Sequence, residues 1–469
     1  MTIKPSAETL DRLAAITGEK YAIRSPAEMD GYMHEWRDLW HGKSPMVLRP
    51  GSSDEVSRIL AIANETRTAI VPQAGNTGLV GGQIPHEDGH EVLLSLDRMT
   101  RIVEVDAANN TMTVEAGVTL KSVQEAADAV DRLFPLSLAS EGSCRIGGNL
   151  STNAGGLNVL AYGNARDLCL GLEVVLADGR VWTGLRRLRK DNTGYDLKYL
   201  FIGAEGTLGI ITGAVLKLFP KPKSHETAFV AVPDPQAAVD LLGLAREMSG
   251  NRVVACELLP AIGMEFTVKH MGVRNPLAQS SPWYVLAELA DPPEGCFLRI
   301  LEEAMARGLA SDATVAQSDG QRRELWAIRE LMPESQKFEG GSIKHDVSVP
   351  VSRLPQFIAE ATAAVKGFMG DARVMAFGHM GDGNLHFNVT QPVGMDKQAY
   401  LDSWEGMNAA VFAVVLKHGG SISAEHGIGQ LKREHMREIK SPVELQMMQD
   451  VKRLFDPHGI LNPGKVLPA

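Results

Sequence analysis

The chain has 469 residues and a formal net charge of −10, with 44% hydrophobic and 22% charged side chains. That length predicts two or three domains, the composition excludes a disordered chain, and the negative charge argues against a nucleic-acid partner. No apolar run approaches the roughly 20 residues of a membrane span, and four scattered cysteines (Cys144, Cys169, Cys256, Cys296) without a CxxC exclude a disulfide framework or zinc knuckle. The opening stretch MTIKPSAETLDRLAAITG has neither a basic head nor a continuous apolar run. No secretory signal is expected, and the expected location is cytoplasmic.

Residues 1–45 read as helical fragments with an aromatic close (Tyr32, Trp36, Trp40) whose expected role is packing. A strand is predicted at 46–49, then a helix at 56–66 capped by Ser53 or Asp54, then strands at 69–72, 92–96, 102–106 and 111–115. Helical spacing returns at 118–130. The runs 174–176 and 181–183 flank Asp178-Gly179, a hairpin signal with a two-residue turn. A β-rich run at 209–219 closes at Pro220 and Pro222, so one α+β domain is expected over 46–220. The basic run at 186–190 reads as solvated surface.

After 220–223 the grammar becomes β-α-β. Strand 228–232, helix 235–248 and strand 252–259 come first, followed by strand 283–289 and helix 297–307. Strand 342–349, helix 354–368 and strands 373–377 and 384–389 complete the set. Helices on one side of an antiparallel sheet are the economical packing, which gives a second α+β domain at 221–425. Residues 400–455 look helical, and 426–469 are set apart as a C-terminal helical segment.

Three glycine loops interrupt the first domain: PQAGNTGLVGG at 72–82, EGSCRIGGNLSTNAGG at 141–156 and GAEGTLGIIT at 203–212. Each alone is a common turn. Backbone N–H groups in such loops can form a nest for a diphosphate, and a loop with small side chains lets a flat ligand approach closely. Three of them, all flanked by strands, point to a large phosphate-bearing cofactor. No G-x-G-x-x-G opens a helix, no G-x-S-x-G occurs, and the P-loop-like run at 459–465 fails because Val466 replaces the Ser/Thr.

In RVMAFGHMGDGNLHFNV the turn Gly381-Asp382-Gly383 joins two strands, with His379 before it and His386 after it. Asn388 shares the face of His386 because strand side chains alternate. Later, AEHGIG sets Glu425 beside His426. Two imidazoles and a carboxylate with an open position form the ligand set of a catalytic divalent metal; structural hairpin and cap histidines are the competing reading. Arg329 and Lys344 are lone charges of the kind usually solvated, although Lys344 falls inside a predicted strand.

These motifs, with DNTGYDLKYLFIGAEGTLGIIT at 191–212 and DPHGILNPGK at 456–465, carry a resemblance. The chain resembles the FAD-dependent D-2-hydroxyglutarate and D-lactate dehydrogenase group of the vanillyl-alcohol oxidase flavoprotein superfamily, from about residue 40 to Lys465. The resemblance implies an α+β fold: a two-part FAD-binding domain of that type, an α+β substrate and metal domain with an antiparallel sheet, and a C-terminal helical segment returning to the FAD domain. It places Pro72, Gly75, Asn76, Thr77, Gly78, Leu79 and Gly82 at the FAD diphosphate. Pro135, Leu136, Gly142, Ser143, Gly147, Gly148, Asn149, Thr152 and Ala154 would lie along the flavin and ribityl chain. Glu205, Gly209, Ile210 and Ile211 would line the adenine end, and Asn462 and Lys465 would return to the flavin. Covalent members carry a histidine in the first loop; its absence here implies noncovalent FAD.

By the same likeness His379, His386 and Glu425 would bind zinc or a similar divalent metal. Arg329, Lys344 and Asn388 would bind substrate, and His426 would act as the base. The implied reaction is oxidation of a D-2-hydroxy acid (D-2-hydroxyglutarate, D-lactate or D-malate) to the 2-oxo acid, by hydride transfer to flavin N5. One departure bears on the substrate. Where some hydroxyglutarate-specific members carry a threonine four residues after the arginine, this chain has Pro333, with Ser335 nearby. Expected partners are the hydroxy acid, an electron acceptor such as an electron-transfer flavoprotein, a cytochrome or a quinone, and a second copy in a homodimer. Rival readings are a metal-dependent hydrolase without flavin and a non-catalytic FAD-binding subunit of a glycolate-oxidase-like complex.

Overall fold

A computed structural model describes residues 2–468. The chain divides into two compact units, the first built from everything up to Gly156, then Gly163–Lys221, then everything from Glu425 onward. The second takes Leu157–Tyr162 and Pro222–Ala424.

The first unit holds two main sheets. In one, Val47–Leu48 and Ile70–Gln73 run parallel to the central Val92–Ser95, and Ala22–Ile23 adds an antiparallel edge. The helix Ser53–Thr66 covers it with Val56, Ile59, Leu60 and Ala63. Its cap is Ser52, whose side chain accepts from the N–H of Glu55, and not Ser53 or Asp54 as the sequence suggested. The other sheet is antiparallel, in the order Ile102–Asp106, Thr111–Glu115, Ile210–Lys217, Cys169–Val175 and Val181–Gly184. Its last hairpin closes through residues 176–180, with Gly179 at φ 86, so the expected two-residue turn is a longer one. Ile460 and Leu461 join the same core as Ile59, Ile70 and Leu94.

The second unit carries a four-stranded antiparallel sheet in the order Val253–Pro260, Trp283–Ala290, His225–Val232, Asp312–Val315. A three-stranded antiparallel sheet follows, with Asn384–Thr390 between Ser342–Ser348 and Arg373–Phe377. The two sheets meet at a bridge where Leu258 and Gly378 exchange hydrogen bonds of 2.9 and 3.0 Å. Helices Ala261–Met271 and Asp319–Glu330 were not foreseen. The first starts directly from a strand at Pro260 without a side-chain cap, and the second has only a narrow apolar stripe of Leu325, Trp326 and Ile328. The expected helical stretch 400–455 is broken, since helix Trp404–Lys417 ends well before Met436–Ile439 and Pro442–Phe455.

Helix Asp319–Glu330 is tied to its sheet by one buried carboxylate. Glu288 accepts from Thr227 Oγ1 at 2.7 Å, from Arg322 Nε and Nη2 at 2.7 Å each, and from Trp326 Nε1 at 2.9 Å. Burial alone would raise its pKa, but hydrogen bonds from His225, Arg322 and Trp326 overcome that and hold it at about 2. A carboxylate depressed from 4.5 contributes stability that is present above the unfolded pKa and lost as pH falls through the folded one. Glu288→Gln is therefore expected to cost about 3 kcal/mol at pH 7. The difference in melting temperature from the unmodified chain should close as pH falls from about 4.5 toward 2, which calorimetry at several pH values checks.

Candidate active site

The glycine loops of the first unit enclose a cavity of about 1040 Å³, at the upper end of small-molecule sites and suited to a ligand of dinucleotide size. Of the residues expected at the cofactor, Pro72, Gly75, Asn76, Thr77, Gly78, Leu79, Gly82, Ser143, Gly147, Gly148, Asn149, Thr152, Ala154, Glu205, Gly209, Ile210 and Ile211 line it. Gly142 lines a smaller cleft alongside. Pro135 and Leu136 are outside both linings, as are Asn462 and Lys465. Asn462 Nδ2 instead donates to the carbonyls of Gly82 and Glu205 at 2.9 and 2.8 Å. Lys465 Nζ lies 3.6 Å from Glu91; burial lowers its pKa to about 8 although Glu91 opposes this.

The walls are backbone because the loops touch. A Cβ on Gly75 would sit 2.4 Å from the Ser143 carbonyl oxygen, and one on Gly147 would sit 2.7 Å from the Ala116 Cβ. Only glycine lets the first two loops approach that closely. Side-chain amides fix the first loop. Gln83 Nε2 donates to Gly78 O at 2.9 Å, and Asn76 Nδ2 donates to Gly31 O and His34 O at 3.1 and 2.9 Å.

That last pair brings the N-terminal segment to the cavity, where His34, Glu35, Trp36 and Asp38 form part of the wall. Trp36, expected to pack internally, is 70% exposed. It projects from a turn nucleated by the buried Glu35, whose carboxylate accepts from the N–H groups of Arg37 and Leu39 at 2.6 and 2.7 Å.

Glu425 and His426 also line the cavity, on a segment held by two glycine loops. Glu425 Oε1 accepts from Gly156 N at 2.8 Å. Glu205 accepts from Ile428 N at 2.7 Å and Gly429 N at 2.9 Å, the two amides just beyond Gly427. Burial raises the Glu205 pKa, and those two amides pull it back in part. The residue expected at the adenine end thus carries a backbone turn.

The second unit holds Arg329, Lys344, Asn388, His379 and His386. Register sets Lys344 opposite Asn388 and Asp346 opposite His386, while Met375 and Phe377 oppose Asn388 and His386 from the other edge. Residues directly opposite share a face, so one face of this small sheet gathers Lys344, Asp346, His386 and Asn388 beside the buried side chains of Met375 and Phe377. The other face carries Ile343, Val347, Leu385, Phe387 and Val389, all fully buried. Asn388 Nδ2 donates to Gln336 Oε1 at 2.9 Å, and Gln336 Nε2 donates to Thr390 Oγ1 at 2.7 Å. The rings of His379 and His386 stand edge to face with centroids 5.5 Å apart, and their ligand nitrogens lie within 4.8 Å.

Sequence reasoning missed the residue that links this set. Glu257 is buried in strand Val253–Pro260, where its Oε2 accepts from Arg329 Nε at 2.6 Å and its Oε1 lies 2.7 Å from His379 Nδ1. Burial opposes its ionisation, but the charges and hydrogen bonds of His379 and Arg329 dominate and place its pKa at about 2. An ionised carboxylate only accepts, so His379 carries its proton on Nδ1 and offers Nε2 to a ligand. The available signal was one acid in the apolar run VVACELLP, since a charge in a buried strand requires a partner.

Comparison with known proteins bears on both units. Residues 44–184 match the model of an FAD binding domain, and residues 221–466 match FAD linked oxidases, C-terminal domain. The chain is 40% identical to a mitochondrial D-2-hydroxyglutarate dehydrogenase of Arabidopsis thaliana over 459 residues, covering 97% of this chain and 80% of that protein. It is 35% identical to a D-2-hydroxyglutarate dehydrogenase of Xanthomonas citri pv. viticola, covering 94% of this chain and 93% of that one. Among solved structures, p-cresol methylhydroxylase superposes with a TM-score of 0.76 at 17% identity, covering 98% of this chain and 96% of that chain, which shows a shared fold. Gly75→Ala should weaken FAD binding at least ~10-fold, because the new methyl displaces the loop from Ser143; titrating apoprotein with FAD, followed by flavin fluorescence, checks this. With both domains matched, the chain belongs to the FAD-linked oxidases, in the group of D-2-hydroxyglutarate and D-lactate dehydrogenases.

Proposed function

We propose that this FAD-dependent 2-hydroxy-acid dehydrogenase oxidises a D-2-hydroxy acid to the 2-oxo acid, with D-2-hydroxyglutarate the first candidate and D-lactate and D-malate next. The observation that carries the reading is the state of Arg329. The residue is 6% exposed, and its guanidinium stacks 4.8 Å over Phe377 and gives its Nε edge to Glu257. Within the second unit its Nη1 and Nη2 take no hydrogen-bond partner among the described residues. Glu257 meets its charge on the Nε edge, and the remaining Nη1/Nη2 fork has the geometry that matches a carboxylate. Relatives named for D-2-hydroxyglutarate support the dicarboxylate. Pro333 supplies no hydroxyl, and buried Ser335 spends its own on Met332 O at 2.9 Å. Recognition of a second carboxylate is therefore assigned to the charges of Arg329 and Lys344.

FAD held noncovalently by the glycine loops supplies the two-electron acceptor for the C2 hydrogen. A divalent metal, zinc or similar, held by His379, His386 and Glu425 supplies Lewis-acid polarisation of the substrate hydroxyl. The His379–His386 pair and the Nδ1 proton imposed on His379 support that ligand set. Arg329 and Lys344 hold the substrate's carboxylate charge, and Asn388 orients the substrate from the sheet face. His426 removes the hydroxyl proton, as an imidazole base suited to neutral pH. Electrons then leave to an electron-transfer flavoprotein, a cytochrome or a quinone, and the protein works as a homodimer.

Anaerobic mixing with D- and L-lactate, malate and 2-hydroxyglutarate tests the reading through the flavin absorbance. Bleaching by a D-acid and not its L-enantiomer is expected; bleaching by none of them overturns the assignment. His426→Asn should slow that bleaching by roughly 10² to 10⁴ while leaving FAD bound, as is typical for loss of a general base.

Arg329→Ala is expected to cost ~2–3 kcal/mol in kcat/KM, through loss of a charge-assisted contact. Steady-state kinetics on each D-acid checks it, and an unchanged efficiency with all of them would make Arg329 structural.

A further inference from the structure

We infer that Glu257 is a positioning residue that fixes the carboxylate-binding fork of Arg329 and the metal-binding imidazole of His379 against one another. This rests on the roles proposed above for those two residues. Three observations carry it. Each oxygen of Glu257 serves one partner, Oε2 taking Arg329 Nε and Oε1 taking His379 Nδ1, so the carboxylate bridges the two groups. All three side chains are buried, with Glu257 1% exposed and the other two 7%. The backbones are registered as well. Leu258 and Gly378, the next residues along from Glu257 and just before His379, exchange two hydrogen bonds, and Gly381 N donates to Cys256 O at 3.2 Å. The bridge holds a substrate-binding group and a ligand group in one geometry and sets which ring nitrogen His379 presents.

A plain buried ion pair would need only the negative charge opposite Arg329. The bridging role demands more, because Arg329 Nε–H and His379 Nδ1–H are both donors and require two acceptor atoms. Glutamine offers one acceptor and one donor. Glu257→Gln must therefore abandon Arg329 Nε, or present an N–H to His379 Nδ1 and force the proton onto Nε2, where it blocks ligation.

The test uses the full-length, FAD-loaded protein stripped of metal and titrated with Zn²⁺ against a chromophoric chelator, alongside KM and kcat for D-2-hydroxyglutarate. Glu257→Gln should keep the flavin spectrum and FAD stoichiometry, bind Zn²⁺ 10–100-fold more weakly and raise KM by a larger factor than it lowers kcat. Unmodified Zn²⁺ affinity together with unmodified KM would overturn the assignment. If the unmodified protein itself binds no Zn²⁺, the metal reading fails separately, and KM alone decides: a raised value in Glu257→Gln supports the alignment of Arg329, and an unchanged one refutes it. Should Glu257→Gln fail to fold, Glu257→Asp decides. One methylene shorter, its carboxylate reaches a single partner, so KM or Zn²⁺ affinity should shift tenfold or more; unmodified values for both would overturn the proposal.

Discussion

Two hydrogen bonds between Leu258 and Gly378 join the sheets of the second unit, and the chemistry of that unit depends on this seam. Gly378 sits at φ 139, in a region closed to ordinary side chains, so the chain can leave its strand there and run beside the neighbouring sheet. The seam brings the middle of strand Val253–Pro260 against the turn that carries His379. It thereby buries Glu257 where two donors can reach it. Removing a carboxylate from water is expensive, and only that pairing keeps it ionised, with a pKa of about 2. An arginine and a histidine more than forty residues apart in sequence thus share one anchor.

The first unit follows a different logic. Its cavity is shaped by main chain brought into contact through glycine, and side chains act chiefly as braces behind it. Gln83, Asn76, Glu35 and Glu205 all place hydrogen bonds on backbone groups, which brace the loops from behind. Backbone N–H groups suit a diphosphate, and a smooth wall suits flat rings. The second unit instead gathers buried charge on one sheet face. A large, neutral-ringed cofactor and a small, charged acid require these two surfaces.

Much of this was legible in the sequence because it is local. Alternation along 384–390 put His386 and Asn388 on one face, and the register places them there with Lys344 and Asp346 opposite. The glycine loops were recognised by their own composition. What escaped depends on contacts distant in the chain. The cap of helix Ser53–Thr66 could not be chosen within Ser52-Ser53-Asp54, three residues that all cap well. Trp36 looked like core, and only its turn on Glu35 turns it outward. Glu257 announced a buried charge without saying which of the chain's cations would meet it.

The tail of the chain has a kinetic meaning too. Asn462 clasps Gly82 from 380 positions away, and Ile460 and Leu461 complete a core begun by Ile59 and Ile70. A nascent chain emerging from the ribosome cannot finish the first unit until those residues appear, whereas nearly all of the second lies in one continuous stretch. Contacts of such long range are slow to close, so the glycine-walled unit must wait with part of its hydrophobic surface uncovered while the later-encoded unit folds ahead of it. Chaperone demand during synthesis should therefore fall on the N-terminal half of the sequence.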